Sequence, residues 1–124
     1  SIEYARAFDL LLKTQSEVLQ HIVTGVQTSA LHERTKELLG SEAPFFTHAL
    51  GHGVGLEIHE GPSLGPRKGV DNSAKLETDM VVTCEPGLYY PNSFGIRIED
   101  MLVVKPKKSV VLTGTCRKDI VKIS

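Results

Sequence analysis

Over the first part of the chain, apolar side chains return at three- and four-residue steps: Ala5, Phe8, Leu11, Leu12, Val18, Leu19, Ile22 and Val23. That period predicts an amphipathic helix from Ile2 to about Val23. "TGVQTSA" interrupts it, and Leu31, Thr35, Leu38 and Leu39 then trace a shorter helix. Ser29 is its expected N-cap and Gly40 its expected αL cap. After Pro44 the texture changes to β. Residues 45–60 read as strand interrupted by glycine, and 61–79 as a loop bearing Gly, Pro, Asn and Ser. "MVVTCE", "FGIRIEDMLVVK" and "SVVLTG" read as successive strands. Helices followed by antiparallel strands predict an α+β domain with the helices on one face of the sheet.

At 124 residues the chain is one domain's worth, enough to bury roughly two thirds of its unfolded surface without staples. The formal charge of -1 argues against binding driven by phosphates, so no nucleic-acid partner is expected. "KPKKS", Arg117, Lys118 and Lys122 are broken up by apolar residues and read as a solvated edge. No apolar run approaches the ~20 residues of a membrane span, and no signal-peptide pattern opens the chain. Cys84 and Cys116 form neither a C-x-x-C nor a disulfide framework, so a reduced, cytoplasmic setting is expected. The chain opens on Ser1 and enters the helical pattern almost at once, from which a missing upstream portion is expected.

Two stretches carry candidate chemistry. In "VVTCEPGLYYPNSFGIRIED", the segment "YYPNSFG" reads as a hairpin reversal centred on Asn92. Glu85 and Glu99 stand symmetrically about that centre and therefore face each other. Opposed residues of an antiparallel pair hold their Cβ atoms ~4.5–5.5 Å apart, and two like charges so placed need a cation or a shared proton between them. Arg97 and Glu99 share one face, with Ile96, Ile98 and Met101 on or flanking the other. A solvated Glu-Arg-Glu surface is the plain alternative. Cys84 falls on the apolar face as a small core residue.

The other stretch is "THALGHGVGLEIHEG", residues 47–61, with three histidines. In an extended segment His48 and His52 share a face, while His59 reaches it only through a bend that Gly51, Gly53 and Gly55 permit. The spacing lacks the H-E-x-x-H of a zincin, the dinucleotide G-x-G-x-x-G, a phosphate loop and the G-x-S-x-G of a serine hydrolase. What survives is a mixed His/Glu site for a divalent ion, leaning toward Mn²⁺ with Zn²⁺ and Co²⁺ open.

"FFTHALGHGVGLEIHEGP", "MVVTCEPGLYY" and "GIRIEDMLVV" closely resemble the catalytic C-terminal domain of the Xaa-Pro peptidases, aminopeptidase P and prolidase, which has the pita-bread fold. The resemblance covers nearly the whole chain. It implies metal-dependent hydrolysis of the peptide bond preceding proline, at two divalent ions held by two aspartates, one histidine and two glutamates. Carried over by motif, His52, Glu85 and Glu99 are the metal ligands. The resemblance further implies that His48 contacts the substrate's proline side, that His59 stabilises the carbonyl oxygen of the scissile bond, and that Arg97 braces a metal-bound glutamate or the substrate. Glu85 would also take a proton from water and pass it to the leaving nitrogen.

The family's two aspartates have no counterpart here. Asp9, Asp71, Asp79, Asp100 and Asp119 do not match their positions. Residues 1–124 are therefore expected to be the C-terminal portion of a pita-bread metallopeptidase domain, lacking upstream strands and an N-terminal domain. Such a chain is expected to be inactive alone, and to self-associate or pair with the missing upstream segment. Proline-containing peptides are the expected substrates. A non-catalytic pita-bread module that binds peptides or proteins is the alternative, and a metal-free creatinase-like hydrolase is disfavoured by the retained glutamates. Arg67 and Lys68 read as part of a solvated loop, within reach of a substrate carboxylate.

Overall fold

The computed structural model describes residues 1–66, 74–121 and 123; Arg67, Lys68 and Asp71 lie outside the described residues. Helix α1 spans Ile2–His21, its first turn capped by the Ser1 hydroxyl, which accepts from Tyr4 N–H. Its buried stripe is Ala7, Leu11, Thr14, Gln15 and Val18. The predicted stripe is thus rotated slightly, and its centre carries two polar residues that a hydrophobic count passes over.

Helix α2 spans Thr28–Leu39 and starts earlier than Ser29 suggests, with Gln27 at the N-cap and no side-chain cap. The cause is tertiary. Gln27 forms an antiparallel bridge with Lys75, and Thr28 N–H donates to Ala74 O at 2.9 Å, so the chain is already anchored where the helix begins. Gly40 does adopt positive φ, at 54°, but its ψ of -123° lies outside the αL well. The chain runs on into a 3-10 helix, Gly40–Phe45, with Pro44 inside it.

Among the described residues seven short strands follow: β1 (His52–Gly53), β2 (Glu60–Ser63), β3 (Val81–Cys84), β4 (Gly87–Tyr90), β5 (Phe94–Arg97), β6 (Asp100–Val103) and β7 (Val110–Val111). The expected strand over 45–60 reduces to β1, because most of that segment bends around the site. The expected loop over 61–79 contributes most of β2. A five-stranded sheet has the order β2-β1-β3-β6-β7, and β4 and β5 form a separate two-stranded ladder.

The hairpin is centred on Asn92, which has φ 58°. Tyr90 pairs with Phe94 and Gly87 with Arg97, and the same register resumes with Cys84 opposite Asp100 and Val81 opposite Val103. The core lies between α1, α2 and the sheets. Leu11, Val18, Ile22, Leu50, Leu88 and Leu102 are fully buried there, and Cys84 is buried with them. Among the described residues no helix is long and apolar enough to cross a membrane.

Candidate metal centre

Four segments build the site. Strands β3 and β6 end where their ladder lapses, and the residues just beyond, Glu85 and Glu99, continue the register that pairs Cys84 with Asp100. Alternation along 96–100 sends Ile96, Ile98 and Asp100 inward and leaves Arg97 and Glu99 outside. Arg97 Nε lies 3.8 Å from Glu85 Oε2 and 3.8 Å from Glu99 Oε2. The two facing carboxylates thus share a cation, as their repulsion requires. Arg97 is held further above its ordinary value, first by the Tyr89 phenol and then by Glu85 and Glu99.

Strand β1 brings the histidines to the glutamates. Gly53 sits opposite Val82 of β3, so His52 falls beside Thr83. His52 N–H donates to Thr83 Oγ1 at 3.0 Å, and that hydroxyl donates to Glu85 Oε1 at 2.9 Å. The His52 imidazole closes the ring. Its Nδ1 lies 2.8 Å from Gly53 O, which as an acceptor-only group assigns the ring proton to Nδ1 in the neutral imidazole. Nε2 then presents its lone pair to Glu85 Oε1 at 3.2 Å. A lone pair facing a carboxylate calls for a proton or a cation at that edge.

The fit to a divalent ion can be judged from these donors. An imidazole nitrogen and two carboxylates are the hard and borderline donors such ions take, and each already faces positive charge or the need for it. As placed, His52 and Glu85 form a pair, and Glu99 meets Glu85 through Arg97; among the described residues no three His, Cys, Asp or Glu side chains converge closely enough to hold an ion. The donor chemistry therefore fits, and the set is partial.

His59 approaches by the bend that the sequence requires. The β1–β2 register shifts between His52 and Gly53, and the His59 ring centroid ends 4.4 Å from that of His52. His52, His59 and Glu99 line a groove of about 520 Å³ whose apolar walls include Val54, Ile58 and Met101. His48 does not share a strand face with His52, since it precedes β1. Its Nδ1 lies 2.7 Å from Ala49 O and its Nε2 3.0 Å from Tyr89 Oη, so Tyr89 donates to Nε2. Its ring packs edge-on against Phe46 and Tyr89.

Thr83 and Tyr89 are the site residues that motif reading passes over. Thr83 was findable, because it stands two residues before Glu85 in a strand and so shares its face. Three of the described aspartates are engaged with lysine or arginine. Asp79 pairs with Lys105 and Asp119 with Arg117, while Asp100 is fully buried against Lys118.

Comparison with known proteins bears on the family and the fold. The model of metallopeptidase family M24 matches residues 1–106. An uncharacterized peptidase of Methanocaldococcus jannaschii is 37% identical over 103 residues, covering 83% of this chain and 30% of the relative. A Pyrococcus horikoshii protein described as an Xaa-Pro dipeptidase is 33% identical over 113 residues, covering 90% of this chain and 31% of the relative. The crystal structure of an X-Pro aminopeptidase from Thermotoga maritima superposes with a TM-score of 0.88 at 36% identity, over 96% of this chain and 33% of that one. The chain thus spans about a third of the length of the relatives it matches. With the two helices on an antiparallel sheet, part of the pita-bread architecture, and with the family model matched over most of its length, the chain belongs to metallopeptidase family M24.

Proposed function

We propose that the chain carries the C-terminal part of the catalytic centre of an Xaa-Pro peptidase acting in the cytoplasm on peptides with proline after the scissile bond. The observation that carries this reading is the placement of His52 Nε2 against Glu85, with Glu99 held opposite Glu85 across a shared cation. His52, Glu85 and Glu99 would hold the metal, with Mn²⁺ preferred and Co²⁺ or Zn²⁺ accepted. Remaining donors come from the part of the relatives' length that this chain does not span. When bound, divalent ions supply Lewis acidity and an activated water near neutral pH.

The chain's own residues supply the rest. Glu85 Oε1, oriented by Thr83, accepts the proton of the attacking water and delivers it to the leaving nitrogen. His59, exposed at the rim of the groove, donates to the carbonyl oxygen of the scissile bond. His48, held by Tyr89 and Ala49, meets the proline side. Arg97 braces Glu85 and Glu99 in the facing arrangement. With only part of the donor set, the chain alone is expected to turn over Xaa-Pro substrates slowly or not at all.

Calorimetric titration of the chain with Mn²⁺, beside Glu99→Ala, tests the assignment. Weak binding that Glu99→Ala abolishes is the expected result. Binding unchanged by that substitution removes Glu99 from the site, and robust hydrolysis of an Xaa-Pro dipeptide by the chain alone contradicts the partial site.

A further inference from the structure

Between β3/β6 and β4/β5 the antiparallel ladder lapses for two residues on each strand, and those residues include both facing glutamates. Pro86 has no N–H to donate there, while Ile98 N–H still donates to Pro86 O at 3.2 Å and Glu85 N–H points to its other neighbour, Leu50 O, at 2.7 Å. The carbonyl of Ile98, opposite Pro86, is left inside the protein without a strand partner, which is costly unless something else donates to it. That donor is Gln15, fully buried on α1. Its Nε2 donates to Cys84 O at 3.2 Å and to Ile98 O at 3.0 Å.

The orientation of this amide is determined by its other end. Lys118 Nζ lies 3.1 Å from Gln15 Oε1, and an ammonium has only donors, so the oxygen must face Lys118 and the NH₂ must face the two carbonyls. Lys118 is itself held by the buried Asp100 carboxylate, which also accepts from Thr113 Oγ1 at 2.7 Å. Lys118 and Thr113 lie beyond the residues that the family model matches.

We propose that Gln15 is a positioning residue: one amide clamps the peptide planes immediately preceding Glu85 and Glu99 and so sets the separation and facing of the two carboxylates. The planes Cys84–Glu85 and Ile98–Glu99 are joined through a single nitrogen, and neither can rotate without breaking a bond to it. Lys118 and Asp100 keep that nitrogen pointed at them. The inference rests on the reading of Glu85 and Glu99 as metal donors.

Amide hydrogen exchange and Mn²⁺ titration of the full chain test it, using Gln15→Met, which keeps the side-chain length without the donors. Lys118→Met, at a partly exposed position, is the second variant should the first fail to fold. The probe amides are Glu85, bonded to Leu50 O, and Ile98, bonded to Pro86 O; the references are Val82 and Leu102, paired deep in the sheet.

Loss of two buried hydrogen bonds is expected to speed exchange at Glu85 and Ile98 roughly tenfold relative to the references, and to weaken Mn²⁺ binding where the parent binds it. Exchange that rises equally at all four amides, or at none, overturns the clamp and leaves Gln15 a general stability contributor. Selective acceleration with Mn²⁺ binding insensitive to Glu99→Ala upholds the clamp while removing the metal assignment, so the two failures are distinct.

Discussion

Replacing Gly51 with alanine tests whether the site's assembly depends on one close backbone approach. A Cβ at Gly51 would stand 2.0 Å from Thr83 O and 2.7 Å from Thr83 C. Both are backbone atoms that no side-chain rotation can move. Comfortable nonbonded separations are ~3.5 Å, so β1 and β3 must part by roughly 1 to 1.5 Å. The bonds across that seam are His52 N–H to Thr83 Oγ1 at 3.0 Å, Val54 N–H to Val81 O at 2.9 Å and Glu85 N–H to Leu50 O at 2.7 Å.

Losing two of these at about 1 kcal/mol each, with an overpacking cost of about 1–3 kcal/mol, gives a destabilisation of about 3–5 kcal/mol. For a domain of this size that lowers Tm by about 10–20 °C. Thermal unfolding followed by circular dichroism measures it. Gly114→Ala is the control, because its nearest atom, Val111 O, is at an ordinary 3.6 Å and its effect should stay within about 0.5 kcal/mol. If Gly51→Ala melts together with Gly114→Ala, the tight β1–β3 seam does not hold His52 beside Glu85, and the description of the site fails at its base.

Two further outcomes follow from buried groups. Cys84 is buried while Cys116 is exposed, and burial pushes the Cys84 thiol well above its ordinary value; a thiol reagent should therefore label only Cys116 in the folded protein and both after denaturation. Prompt labelling of Cys84 under native conditions would contradict its place in the core. His32 is held below its ordinary value of 6.5, chiefly by burial, with Glu33 opposing and Lys36 and His48 adding to the effect. Its folded pKa is the lower one, so the unfolded chain takes up the proton first as pH falls. The stability from neutral His32 is present above pH 6.5 and is lost as pH drops below it toward the folded pKa. Tm measured from about pH 7.5 to about pH 5.5 should fall less steeply in His32→Leu than in the parent; parallel profiles would remove His32 as a cause.

Local pattern was enough for several features. The three- and four-residue spacing of Leu11, Val18 and Ile22 marks α1, and a turn centred on Asn92 sets a register that runs from Tyr90–Phe94 through to Val81–Val103. A hairpin joins neighbours in sequence, so its symmetry alone sets Glu85 against Glu99. The three histidines, the two glutamates and Arg97 stood out in the sequence as candidates because their residue types are costly to place together without partners.

Other features depended on contacts between distant parts of the chain. Helix α2 begins where Gln27 meets Lys75, and 45–60 gives up most of its strand character to fold around the site. His52 reaches Glu85 only because Gly53 pairs with Val82, a partner that no local pattern names. Gln15 and Asp100 read as ordinary polar residues in the sequence. Burial made them matter, since a polar group taken out of water must find its partner, and for Gln15 those partners are Cys84, Ile98 and Lys118. Sequence alone therefore determined the candidate groups and the register that sets the two glutamates across from each other. The tertiary structure decided which imidazole meets them and what holds them in place, because long-range strand pairing and buried hydrogen bonds are selected by the packed whole.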